Sequence, residues 1–233
     1  FQEFMITPVE RTSFRDGFEK IANTYHTLKK VIEKAGFTTG LGDEGGFAPD
    51  LNNSEEALQM LHDAIIEAGY KPGKEIAIAF DAAASYFYNH DTKNYDFEGK
   101  TYTPAEMSDV YGNLLAKFPE IISIEDPFGE DDWDNFAKFT AKYGDKVQIV
   151  ADDPVCTNPA LIRDAIKKGM ANSILIKLNQ IGTVSETLEA VRLSRKNGYT
   201  TMISHRSGET GDTFVADFTV AVNGAQLLSL IHI

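Results

Sequence analysis

Cysteine is nearly missing: Cys156 is the only one in 233 residues. No intramolecular disulfide can form, which suits a reducing cytoplasm, and Cys156 itself reads as a small buried packing residue. Also missing are a run of about 18 apolar residues and a basic-then-apolar leader, which argues against a membrane-spanning helix and a secretory signal. Positive charge is scarce. Lys and Arg number 22 against 35 Asp and Glu, a formal net charge of −13. That balance repels nucleic acid and anionic lipid, and no basic stripe offsets it. Bound cations would neutralise part of it. No glycine-rich dinucleotide fingerprint follows any strand-like run, which argues against a Rossmann cofactor site. No linker, low-complexity tract or repeat breaks the chain. It opens at Phe1, without Met and already inside an apolar run, and so reads as a fragment cut into a strand.

What is present is ordinary for a soluble globular protein, 42% apolar and 24% charged, in a length that suits one barrel or two smaller domains. Strand-like runs alternate with helical patterns. Phe1–Val9 reads as a strand. Phe14 to Ala35 follows helical spacing, with Phe14, Phe18, Ile21, Tyr25, Leu28 and Ile32 on one face and Ser13 with Asp16 as a capping pair. Ser54 to Ala68 is a second helix, stopped by Gly69. Strands then follow at Glu75–Asp81, Glu120–Asp126, Lys146–Asp153, Ser173–Asn179 and Thr200–His205. Helices fill the intervals: Thr103 to Lys117 with Pro104 in its first turn, Asp132 to Tyr143, Asn158 to Gly169, and Thr183 to Gly198. A last helix is expected from Glu209 to Val222. Near-continuous apolar strands separated by helices imply an α/β fold with a parallel sheet covered outside, and their regular spacing favours a TIM-like (β/α) barrel.

Polar residues recur at the ends of these strands. Asp81, Glu125 and Asp152 close three of them, Lys177 lies late in "SILIKLN", and His205 follows the next. In a parallel barrel all such ends share one face, where active sites lie. Three carboxylates would repel one another, and a hard divalent cation such as Mg²⁺ removes that conflict. Lys177 beside a cation is then expected to have a depressed pKa and to serve as a general base; lysine with Mg²⁺ is the pattern already described for the enolase superfamily. Glu44 sits in the glycine-flanked "GDEGGF", and "SHRSGET" places His205, Arg206 and Ser207 between a strand and a helix, as a phosphate site requires.

Together "QEFMI", "GDEGGFAP", "SIEDPF", "EDDW", "VADD", "TNP", "LIKLNQIGT" and "SHRSGETGDT", in that order, resemble the enolase family, the glycolytic phosphopyruvate hydratases, of bacterial type. The resemblance implies a lyase that reversibly dehydrates 2-phosphoglycerate to phosphoenolpyruvate. It implies Asp81, Glu125 and Asp152 as ligands of a first Mg²⁺, with a second Mg²⁺ in the complete enzyme. Lys177 would take the C2 proton, and Glu44, supported by Glu3, would protonate the leaving hydroxyl. Gln2 would contact substrate, Glu125 and Asp152 would lie against it, and Arg206 and Ser207 would hold the phosphate with His205 alongside. The family forms homodimers or rings of dimers and is cytoplasmic, with a secreted or cell-surface pool in some members.

Departures from the family pattern are also visible. A smaller N-terminal domain and the first barrel strand would precede the point matching Phe1, so the expected architecture is an incomplete barrel over residues 1–226 followed by an atypical apolar tail, 227–233. Leu228 stands where the family has a lysine that binds the substrate carboxylate, a contact worth about 2.7–4 kcal/mol. Tyr86, Pro154 and Gly211 replace Glu, Leu and Glu of the usual motifs. The expectation is a poorly soluble, inactive chain derived from a working enzyme. The rival readings are another Mg²⁺-dependent barrel of the same superfamily, disfavoured because no KxK occurs, and a non-catalytic, adhesin-like surface binder.

Overall fold

The computed structural model describes residues 1–229; the last four residues of the apolar tail lie outside the described residues. In chain order the first elements are β1 (Glu3–Pro8), α1 (Phe14–Lys34), α2 (Ser54–Glu67), β2 (Ile76–Asp81), a 3-10 turn (Ala84–Phe87) and β3 (Tyr88–Asn89). Next come β4 (Asn94–Phe97), β5 (Lys100–Tyr102), α3 (Pro104–Lys117), β6 (Ile121–Glu125), α4 (Trp133–Tyr143), β7 (Gln148–Ala151) and α5 (Pro159–Lys168). The remainder are β8 (Ser173–Ile176), the single-turn α6 (Leu178–Ile181), α7 (Val184–Lys196), β9 (Thr200–Ser204), α8 (Phe214–Ala221) and β10 (Gln226–Leu228). They fall into two compact units, Phe1–Ala82 with Asn89–Ile124, and Ala83–Tyr88 with Glu125–Ile233.

In the first unit β2 lies between β1 and β6, and all six of its residues are buried. β1 runs antiparallel to it, pairing Glu3 with Asp81 and Pro8 with Ile76. This corrects the expectation of a wholly parallel sheet. The cause is the connection: two successive helices, α1 and α2, each reverse the chain, so β2 returns against β1 instead of alongside it. The apolar stripe expected on α1 is only partly inward. Ile32 is 2% exposed, but Phe14 is 82% exposed, and Thr24 and Thr27 are buried in its stead. Their hydroxyls donate to Lys20 and Asn23 carbonyls one turn back. A Cβ on Gly17 would meet Pro8 and Arg11 side chains at 3.1 Å, so the bare backbone there lets the helix lie close to the end of β1.

A hairpin that the periodicity reading missed joins β4 to β5, with Phe97 opposite Lys100. Glu98 and Gly99 both have positive φ (46° and 76°), the two-residue turn whose twist matches paired strands. Phe97 stacks on the Phe1 ring at 4.8 Å, as does Phe80 from β2. α3 starts with the anticipated capping box, Thr103 and Glu106 each accepting the other's backbone N–H.

In the second unit β7, β8, β9 and β10 lie side by side in that order, all parallel. A single long helix separates β7 from β8 (α5) and β9 from β10 (α8), and α7, entered through the one-turn α6, separates β8 from β9. Val150, Leu175 and Met202 from three of these strands form a packed cluster, against which Leu228 sits. Gln148 Nε2 reaches Ser173 Oγ, Thr200 Oγ1 and Gln226 Oε1 at 2.8–3.1 Å, lacing the four strands near their starts. α8 begins at Phe214, five residues later than expected. Glu209 accepts the Arg206 N–H at 2.7 Å and Asp212 accepts the Phe214 N–H at 2.9 Å, so both acids are spent shaping a loop.

Candidate active site

Parallel strands deliver their C-terminal ends to one edge. In the second unit Asp152 comes one residue after β7, Lys177 one after β8 and His205 one after β9, while Glu125 is the last residue of β6. Lys177 is therefore at the turn into α6, not within the strand as its apolar neighbours suggest. Glu125, Asp152 and His205 are 3%, 5% and 3% exposed. The Lys177 ammonium pairs with Asp152 Oδ2. Burial, the largest influence, pulls the amine's pKa down. The charge and hydrogen bond of Asp152, with the charge of Glu125, outweigh it, and the amine is held above its ordinary value. The depressed lysine expected from the sequence is thus not the property of the chain alone, because the nearest charges are acids. Burial and the Asp152 charge push the Asp153 carboxyl up.

Asp126, Asp152 and Asp153 offer carboxylate oxygens within 4.8 Å of one another. Hard oxygen donors crowded together and largely buried suit a divalent cation such as Mg²⁺. Asp126 is already engaged, however. Its Oδ1 accepts the Asp152 N–H and its Oδ2 the Asp153 N–H, each at 2.9 Å. Its own N–H donates to the Val150 carbonyl, and its carbonyl accepts from Ala84 N–H. It clamps the end of β7, and so sets where Asp152 and Asp153 stand. Residue type alone does not mark it; an acid just before Pro127 at the end of a buried strand is the available signal.

Arg206 donates from Nη1 to Asn179 Oδ1 at 3.0 Å and opens on a cavity of about 280 Å³ lined also by Ser204, Glu209 and Phe214. Ser207 next to it is exposed. His205 donates its N–H to the Leu228 carbonyl at 3.1 Å.

In the first unit the reversed direction of β1 brings its first residues, not its last, to the edge where β2 ends. Glu3 faces Asp81, and the Gln2 N–H donates to the Asp81 carbonyl at 3.0 Å. Glu44 and Glu3 offer carboxylate oxygens within 4.8 Å. The Glu44 loop is shaped by Gly42 N–H to Gly46 carbonyl and Gly45 N–H to Gly42 carbonyl bonds. It is fixed to α1 by the Tyr25 hydroxyl, which donates to the Gly45 carbonyl at 2.9 Å.

The family described as the C-terminal TIM barrel domain of enolase matches residues 1–230. Curated relatives include Enolase 2 of Lactiplantibacillus plantarum, 84% identical over 97% of this chain and 53% of the relative. Enolase 2 of Lactobacillus johnsonii is 71% identical over 98% of this chain and 53% of the relative. Enolase 1 of Lactobacillus gasseri is 67% identical over the same shares. The chain belongs to the enolase C-terminal TIM barrel domain family. It spans about half the length of these relatives.

Proposed function

We propose that this chain, with residues 1–226 as its barrel portion, carries the catalytic residues of an Mg²⁺-dependent phosphopyruvate hydratase that interconverts 2-phosphoglycerate and phosphoenolpyruvate. The observation that carries the reading is the Lys177 ammonium held on Asp152 at the ends of adjacent parallel strands, with Glu125 also near the amine. An amine and buried acids gathered at one sheet edge are what proton abstraction beside a carboxylate needs.

Asp81, Glu125 and Asp152 are the Mg²⁺ ligands in this reading, and Asp126 sets the position of Asp152. Bound there, Mg²⁺ supplies fixed positive charge against the negative charge that builds on the substrate carboxylate. With a cation taking up the charge of Asp152, the Lys177 ammonium would give a proton to solvent, and its neutral Nζ would then remove the proton from C2. The C2–H electron pair becomes the new double bond, the C3–O bond breaks, and Glu44, assisted by Glu3, protonates the departing hydroxyl so that water leaves. Arg206 and Ser207 hold the phosphate, with His205 and Gln2 against the substrate. By family resemblance the protein works in the cytoplasm as a homodimer or larger assembly. Among the described residues no helix is long and apolar enough to cross a membrane.

In this reading the 233 residues alone are inactive, so the test is Mg²⁺-dependent formation of phosphoenolpyruvate from 2-phosphoglycerate by the chain extended to the length of its relatives, with Lys177→Ala as the deciding variant. Loss of a positioned base lowers the rate by about 10²–10⁴-fold. A folded Lys177→Ala protein that keeps the parent rate overturns the assignment.

A further inference from the structure

Cys156 and Thr157 are consecutive residues with left-handed backbone, φ 45° and 54°. For a β-branched residue that region is a genuine outlier, and such strain persists only where the surroundings demand it. Thr157 is wholly buried, and its side chain shows what is gained. The hydroxyl donates to Gln180 Oε1 at 2.6 Å and accepts the Lys177 backbone N–H at 2.9 Å. Gln180 Nε2 in turn donates to Asp152 Oδ1 at 3.0 Å, and Asp152 Oδ2 holds the Lys177 ammonium. Four residues thus close a ring that begins and ends on Lys177.

Only one polarity satisfies this ring. An ionised Asp152 only accepts, so it must face the amide NH₂ of Gln180. That leaves the Gln180 oxygen for Thr157, which spends the one hydroxyl proton on it. The lone pairs of the hydroxyl then remain for the Lys177 N–H. A glycine at 157 would relieve the backbone but leave Lys177 N–H and Gln180 Oε1 without this partner.

We infer that Thr157 and Gln180 are positioning residues: they tie down the Lys177 backbone and occupy Asp152 Oδ1, so that Oδ2 is the oxygen that holds the Lys177 amine and that faces a cation once the amine withdraws. The inference rests on the roles proposed above for Lys177 and Asp152. A purely structural Thr157, serving only to start α5, would affect stability and leave cation affinity alone.

The experiment is Mn²⁺ titration, as a probe for Mg²⁺, on the 233-residue chain and its Thr157→Val, Thr157→Ser and Gln180→Leu variants, with circular dichroism to confirm folding. Loss of a side chain that orients a ligand weakens metal binding by about 10–100-fold, so Thr157→Val and Gln180→Leu should fall in that range while Thr157→Ser, which keeps the hydroxyl, stays within about twofold of the parent. Folded Thr157→Val and Gln180→Leu proteins that bind like the parent, or a Thr157→Ser protein as weak as Thr157→Val, overturn the inference. If Thr157→Val does not fold, Gln180→Leu decides. If the parent takes up no Mn²⁺, the cation site proposed above fails, and the ring is judged by amide hydrogen exchange at Lys177. Faster exchange in Thr157→Val but not in Thr157→Ser upholds the ring, and unchanged exchange in both refutes it.

Discussion

Asp126 shows how much one buried side chain can organise. Its φ of 39° is costly for a residue with a Cβ, yet its N–H, its carbonyl and both carboxylate oxygens are all engaged. Replacing it with asparagine leaves one accepting oxygen and points an NH₂ at a backbone N–H. Asp126→Asn should therefore lower unfolding stability by about 1–3 kcal/mol, the cost of a buried donor without an acceptor. A denaturant midpoint that does not move would show the clamp to be idle. The same residue marks a limit of sequence reading. Glu125 and Asp152 were legible because they end apolar strands. Asp126, Thr157 and Gln180 act through backbone groups and through one another, and residue type alone does not show which carboxylate meets an N–H.

Among the elements, strands β2, β6, β7 and β9 and most of the helices follow from periodicity and caps. The differences have specific causes. The two helices between β1 and β2 are both legible, but the direction they impose on β2 follows only when chain reversals are counted. The β4–β5 hairpin has a four- and a three-residue strand, too short for a periodic signal. α8 lost its expected first turn because Glu209 and Asp212 bond locally. At the start of α1, Ser13 accepts the Asp16 N–H, and the Asp16 carboxylate accepts from the Thr12 N–H. That backbone bond, the largest influence, outweighs desolvation with help from the Thr12 hydroxyl and Lys20, and holds the Asp16 carboxyl below its ordinary pKa. A lowered folded pKa means the contribution is present above the ordinary carboxyl value of 3.8 and fades as pH falls through the folded value. Asp16→Ala should accordingly lower Tm at pH 7, with the deficit shrinking as the solution is acidified below that range. A deficit independent of pH would show that the effect does not depend on the Asp16 charge.

For the molecule as a whole, a net charge of −13 with buried acids at strand ends makes divalent cations the expected stabilising partners. At a concentration one hundred times its Kd, Mg²⁺ should stabilise the fold by about 2.7 kcal/mol, roughly 5–10 °C in Tm for a chain of this size. Asp152→Asn should abolish that shift. An equal response to Mg²⁺ in parent and variant would remove Asp152 from the ligand set. The direction of β1 carries a practical consequence. The Phe1 amine lies against Ser54 Oγ at 3.2 Å, and Gln2 and Glu3 follow it directly to the Asp81 edge. A fluorophore placed at exposed Glu10, beyond the other end of the strand, therefore stands well away from the edge where Gln2 and Glu3 meet Asp81.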